Sequence, residues 1–299
     1  MSHVSDEIAS QPDCWAEALR VARKEAPPLP ARGERVAVIG CGTSLFVGQA
    51  YAALRERAGL GLTDAFPASE FPQGRQYDKL VAISRSGTTT EVLDVLAATH
   101  GRLPSVAITA DAAMPIQGYA DEVVPLAFAD EESVVQTRFA TTTLALLRAH
   151  MGDDLAPVVA DARVAVEAEL PAGALDREQF TFLGRGWTVG VAHEAALKMR
   201  EAALACAESY PAMEYRHGPM SISDERSIVW ALGDAPAGLA AEVAETRALF
   251  VASALEPMAE LIRCQRLAVS LAERRGLDPD QPRNLTRSVV LDASTIRTP

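Results

Sequence analysis

Between the apolar run Leu80-Val81-Ala82-Ile83 and a helical pattern from Glu91 to Ala98, the chain reads Ser84-Arg85-Ser86-Gly87-Thr88-Thr89-Thr90. The first N–H groups of a helix have no partner inside it, and its dipole favours negative charge there, so a strand-to-helix turn rich in hydroxyls suits a phosphate. A helix cap needs one hydroxyl rather than five, which puts the phosphate reading ahead of simple capping. Gly40-Cys41-Gly42-Thr43-Ser44 is a second turn of this kind, after the apolar stretch Val36 to Ile39. It lacks the third glycine of a dinucleotide fingerprint, so no nicotinamide cofactor is inferred.

A proton-transfer group is suggested further along, in His193-Glu194-Ala195-Ala196-Leu197-Lys198-Met199-Arg200-Glu201. Positions 194, 198 and 201 share one helix face. On an open surface this would be a salt-bridged stripe worth a few tenths of a kcal/mol per pair. If the face borders a site, Glu201 is a candidate general base for a proton beside a carbonyl, and Glu194 with Lys198 would orient substrate hydroxyls. His217, in Tyr215-Arg216-His217-Gly218-Pro219, is on a turn, where it could protonate a ring oxygen or a leaving group.

The elements that must position these residues alternate in type. A leading helix over 5–25 stops at Pro27, Pro28 and Pro30, and strand candidates follow at 35–39, 80–83, 105–109 and 122–126 with helices between them. A helix over 137–150 leads into an Ala-rich connection near 157–173. Phe180-Thr181-Phe182-Leu183-Gly184-Arg185-Gly186 then restates the strand and G-x-G turn of Gly40 to Gly42. Helices over 191–208 and 239–254 and a strand over 228–232 complete the second half. Alternating strands and helices predict parallel, doubly wound sheets, and the restated turn predicts an internal duplication.

At 299 residues the length suits two domains. The boundaries read as an N-terminal helical segment over 1–30, a first domain over 31–155 and a second over 170–299. A net charge of −12 opposes non-specific attraction to nucleic acid. The four cysteines, Cys14, Cys41, Cys206 and Cys264, form no C-x-x-C pair, so neither a zinc site nor a disulfide framework is signalled, and no metal or other cofactor is expected. No apolar run approaches the ~18 residues of a membrane span, and the N-terminus has no leader pattern, so a cytoplasmic protein without a membrane partner is expected.

In order, Gly40-Cys41-Gly42-Thr43-Ser44, Ser84-Arg85-Ser86-Gly87, Phe182-Leu183-Gly184-Arg185-Gly186, Glu194 through Glu201, His217-Gly218-Pro219 and Asp280-Gln281-Pro282-Arg283-Asn284-Leu285 resemble the SIS (sugar isomerase) family. The second half resembles the isomerase half of the glucosamine-6-phosphate synthases. The resemblance implies an α/β chain of two tandem SIS domains, each a flavodoxin-like parallel sheet flanked by helices. It implies that Thr43, Ser44, Ser84, Arg85, Ser86 and Thr89 hold a sugar phosphate, that Glu201 moves a proton between C1 and C2, and that Glu194 and Lys198 complete the sugar site. His217 would assist ring opening across a homodimer with composite sites.

Three departures qualify what the resemblance implies. The chain begins Met1-Ser2-His3, without the N-terminal cysteine of a glutamine-hydrolysing domain. Arg287 stands where the synthase-like pattern has a Schiff-base lysine; a guanidinium stays protonated, so Arg287 is expected to bind substrate without a covalent link. Glu131 to Arg138 is more similar to stand-alone family members that deaminate or isomerise amino-sugar phosphates. The expected activity is therefore an amino-sugar-phosphate isomerase or deaminase, with a fructosamine-6-phosphate-type deglycase or a non-catalytic phosphosugar sensor as alternatives.

Overall fold

The computed structural model describes residues 2–24 and 27–291. The last part of the expected second domain, residues 292–299, lies outside the described residues. Two parallel sheets form the frame. The first contains β1 (Val36–Gly40), β2 (Thr63–Pro67), β3 (Lys79–Ile83), β4 (Ser105–Thr109) and β5 (Glu122–Pro125) in the order β2-β1-β3-β4-β5. The second contains β6 (Gln179–Gly184), β7 (Cys206–Pro211), β8 (Ser227–Leu232) and β9 (Leu249–Val251) in the order β7-β6-β8-β9. It repeats the first order through four strands.

The inner strands are short and almost wholly buried, with only Lys79 of β3 and Gln179 of β6 half-buried. Every residue of β1, β4 and β8 is covered, as parallel strands flanked on both faces require. The helices are α1 (His3–Ala9), α2 (Gln11–Lys24), α3 (Thr43–Arg57), α4 (Thr90–Thr99), α5 (Arg138–His150), α6 (Ala156–Glu167), α7 (Thr188–Ala203), α8 (Leu239–Glu245) and α9 (Pro257–Arg274). One hydrophobic core draws Val38 and Val81 from the first sheet together with Phe180 and Trp230 from the second.

Packing of α3 against α7 joins the two halves. Gly190 lets them meet: a Cβ there would lie 2.5 Å from the Phe46 carbonyl oxygen and 2.8 Å from Ala50 N. That approach sets α7, with its acidic and basic face, beside the start of α3.

Several expected elements differ. The leading helix is two helices broken at Ser10. The helix expected to reach residue 208 ends at Ala203, where Leu204 takes a left-handed conformation (φ 51°), and Cys206–Pro211 becomes strand β7. The helix expected over 239–254 stops at Glu245, Arg247 has φ 67°, and β9 follows.

Candidate active site

The order of the first sheet reverses between β1 and β3, and in such sheets ligands bind beyond the strand ends at that point. The two hydroxyl-bearing turns flank it. A Cβ on Gly40 would lie 2.7 Å from Ser44 Cβ, and Gly42 has φ 53°, so the glycines allow α3 to begin directly at the end of β1. Thr43 and Ser44 are the first residues of that helix. After β3, Ser84 Oγ accepts from Gly87 N at 3.2 Å, and Ser86 Oγ accepts from Thr88 N at 3.3 Å. These bonds hold a compact loop that ends at the start of α4.

A cleft opens over the two turns. Thr43, Ser44, Ser84, Arg85, Ser86, Thr89, Glu201 and Arg287 all line it, together with Cys41, Val134, Gln136 and the tail segment 285–289. Its cavity volume is about 170 Å³, and it opens to solvent on one side. The tail crosses from the second half onto the loop: Ser288 Oγ lies 3.1 Å from Ser86 Oγ and 2.9 Å from Thr88 Oγ1, and Val289 O accepts from Thr90 N at 3.2 Å.

Of the three residues on the α7 face, only Glu201 reaches the cleft. Its side chain is 17% exposed, whereas Lys198 and Glu194 are 1% and 3% exposed and lie beneath it. Lys198 Nζ is 2.5 Å from Glu201 Oε2, 3.3 Å from Glu194 Oε1 and 2.9 Å from Thr43 Oγ1. Direct orientation of substrate hydroxyls by Glu194 and Lys198, as expected from the sequence, has no support in this placement.

Burial raises the Glu194 carboxyl to about 7 even though the Lys198 ammonium opposes the shift. Burial by itself would lower Lys198, but Glu194 and Glu201 outweigh it and hold the amine above its ordinary value. One ammonium cannot balance two buried carboxylates in full. Glu201 is the nearer partner and the more exposed, so Lys198 stays charged against Glu201 and Glu194 is the group that takes up a proton.

Two arginines expected to bind substrate turn their Nη nitrogens to the protein, while Arg85 Nε is buried without a partner. Arg85 Nη1 pairs with Glu131 Oε2 at 3.1 Å and donates to Ser133 O at 3.2 Å, while Nη2 donates to Val134 O at 3.0 Å and Arg287 O at 3.3 Å. Arg287 Nη2 donates to Asp130 Oδ1 at 2.5 Å, and Nη1 donates to the Glu131 carbonyl. His217 is exposed on the turn after residues 214–216 and does not line the cleft.

Cys41 and Gln136 are among the cleft residues that were not singled out from the sequence. Cys41 sits inside the glycine turn, and burial, reinforced by Glu91, raises its thiol to about 11, so it is not a thiolate nucleophile. Gln136 stands on the loop after β5, and the signal for it was that loops following the strands of such a sheet emerge on the ligand side.

The SIS domain profile matches residues 31–151. Residues 31–151 are a SIS domain. Relatives aligned over most of the chain are glutamine–fructose-6-phosphate aminotransferases [isomerizing]. That of Pyrobaculum aerophilum is 28% identical over 86% of this chain and 51% of its own length, and that of Pseudomonas putida is 30% identical over 90% and 53%. The chain thus spans about half the length of the relatives it matches.

Among solved structures, glucosamine-6-phosphate deaminase from Thermotoga maritima superposes with a TM-score of 0.79 at 24% identity, covering 97% of this chain and all of that one. Tagatose-6-phosphate ketose/aldose isomerase from Escherichia coli gives 0.76 at 20% identity, covering 97% and 96%. At these identities the likeness establishes a shared fold, and it extends well beyond the SIS domain into the second sheet.

Proposed function

We propose that this chain is a phosphosugar isomerase or deaminase that acts on an amino-sugar 6-phosphate of the glucosamine type by proton transfer between C1 and C2. The observation that carries the reading is that Glu201 lines the same cleft as the Ser84–Thr89 loop, with the buried Lys198 ammonium against it. The loop and the start of α3 would hold the phosphate at one end. That leaves the carbonyl end of an open-chain sugar for the carboxylate.

In this reading Glu201 removes the C2 proton of the open-chain aldehyde, and the C1 oxygen takes up a proton to give an enol that bears the amine at C2. Return of the proton to C1 yields the 2-imine of the ketose phosphate. Addition of water to that imine and departure of ammonia give the ketose phosphate. No step needs an oxidant or reductant. Arg287 cannot form a Schiff base and Lys198 is buried below the cleft, which favours this free enol route over a covalent one.

The second sheet, with the strand order and glycine turn of the first, supports reading residues 31–155 and 170–299 as two tandem SIS domains. The exposed position of His217 fits a role in the cleft of a second copy, hence a homodimer with composite sites. The assignment is tested by following ammonia and ketose phosphate from glucosamine 6-phosphate and galactosamine 6-phosphate. Glu201→Gln should lower kcat about 10²-fold or more while sugar phosphate still binds. Absence of wild-type turnover on both sugars rejects the amino-sugar assignment. Fructosamine 6-phosphates are then the next substrates to assay, because the exposed rim at Thr286 and Arg287 leaves room for a substituent on nitrogen.

A further inference from the structure

Glu7 on α1 does not line the cleft, and its side chain is buried. Its carboxyl group accepts from Glu132 N at 2.6 Å, from Ser133 N at 3.1 Å and from the Ser133 hydroxyl. A buried carboxyl is costly unless donors surround it, and all three of these belong to the loop that runs on to Val134 and Gln136 in the cleft. Arg85 holds the same stretch through its carbonyls, donating to Ser133 O and Val134 O. Ser133 is therefore tied at its N–H to α1 and at its carbonyl to the phosphate-type turn.

The same helix fastens the tail. Asp280 accepts from His3 N at 2.9 Å and Val4 N at 2.8 Å through its carboxylate, and from Val134 N at 2.9 Å through its carbonyl. The tail then enters the cleft at Leu285. Val4 and Ile8 fix α1 in the core, so it is a firm anchor for both segments.

We infer that Glu7 is a positioning residue that sets where the 131–136 loop and the tail stand over the cleft, although α1 precedes the SIS domain. Its part is to hydrogen-bond. Glu7→Gln can keep every bond: Oε1 accepts from the two N–H groups, and Nε2 donates to Ser133 Oγ, whose own hydrogen then goes to Val135 O, 2.8 Å away. Glu7→Leu keeps none. Loss of the anchor frees the loop and the tail but leaves the bonds inside the Ser84–Thr89 turn, so a sugar phosphate loses more affinity than phosphate alone. That consequence for binding rests on the phosphosugar reading above, whereas the anchoring does not.

The experiment compares wild type, Glu7→Gln and Glu7→Leu. Hydrogen exchange is followed in the unliganded protein, and calorimetric dissociation constants are measured for glucosamine 6-phosphate and inorganic phosphate. Glu7→Leu should speed exchange about tenfold over 131–137 and 280–291 while β1 and β4 exchange as in wild type. It should weaken glucosamine 6-phosphate about tenfold and inorganic phosphate about threefold at most, with Glu7→Gln within about twofold of wild type throughout. Unchanged exchange in the tail, sugar-phosphate affinity that is unchanged or lost equally with phosphate, or a Glu7→Gln that behaves like Glu7→Leu overturns the inference. If Glu7→Leu does not fold, Ser133→Ala, which removes the hydroxyl donor, is measured in its place, and the absence of faster exchange over 131–137 and the tail overturns it. A wild type that does not bind glucosamine 6-phosphate removes the phosphosugar reading only, and exchange alone then decides the role of Glu7.

Discussion

Lys198 on α7 donates to Thr43 Oγ1 on α3 at 2.9 Å, joining the helix that bears Glu201 to the turn that begins the SIS domain's first long helix. The bond is buried, and the same nitrogen holds Glu201 at 2.5 Å. The separation between the carboxylate and the hydroxyl turns therefore depends on how closely α3 and α7 pack, and that is set at Gly190.

Gly190→Ala should therefore affect both stability and the site. The added methyl would meet backbone atoms at 2.5 and 2.8 Å, which cannot rotate away, so the helices must separate. Overpacking of this kind costs about 1–3 kcal/mol. The denaturant midpoint should fall accordingly, and kcat should drop more than the affinity for inorganic phosphate, because α7 shifts relative to an intact loop.

Glu194 predicts a pH dependence of stability. Its carboxyl is raised to about 7 in the folded protein from an ordinary value of 4.5, so between those limits the native state holds a proton that the unfolded chain has released. Stability from this group therefore falls as pH rises from about 4.5 to 7 and levels off above that, with a span of ~3 kcal/mol. In Glu194→Gln this component is absent. Subtracting the variant's urea-unfolding curve from wild type at pH 5, 6 and 7 should leave a difference that declines with pH; a flat or rising difference would show that Glu194 remains ionised.

Arg85 should behave as a structural cation. Loss of one partner from a buried ion pair costs about 3–5 kcal/mol, and Arg85→Met should fall near the lower end because Glu131 keeps its three donors from Thr137 and Arg138. Unfolding measurements should register that loss. Inorganic phosphate, measured as a competitive inhibitor, should lose less than fivefold. A large loss of phosphate affinity at unchanged stability would restore Arg85 as a phosphate ligand.

Much of the site was legible because its pieces are local. Apolar runs ending in Gly40-Cys41-Gly42 and Ser84-Arg85-Ser86-Gly87 mark strand ends, and the strand order brings those ends together. What the sequence hid was depth and pairing. Residues 194, 198 and 201 share a face, but at 1.5 Å of rise per residue the first lies about 10 Å along the axis from the last, so only the final turn reaches the cleft. Arg85 and Arg287 looked available because Glu131 and Asp130 are distant in sequence. The strands β7 and β9 escaped notice because one is half-exposed and polar, the other is three residues long, and Leu204 and Arg247 mark the breaks before them without a glycine.

The turn at Gly184-Arg185-Gly186-Trp187-Thr188 repeats the backbone of Gly40-Cys41-Gly42-Thr43-Ser44, with Gly186 at φ 55° beside Gly42 at φ 53°. Trp187 is nevertheless packed away under the Arg148 guanidinium, 5.0 Å from its ring centre, where Thr43 and Ser44 border the cleft. One scaffold thus borders a cleft in the first half and packs against the other half in the second. Grafting residues 41, 43 and 44 onto 185, 187 and 188 would remove the Trp187–Arg148 contact, so the asymmetry between the halves is itself part of what holds them together.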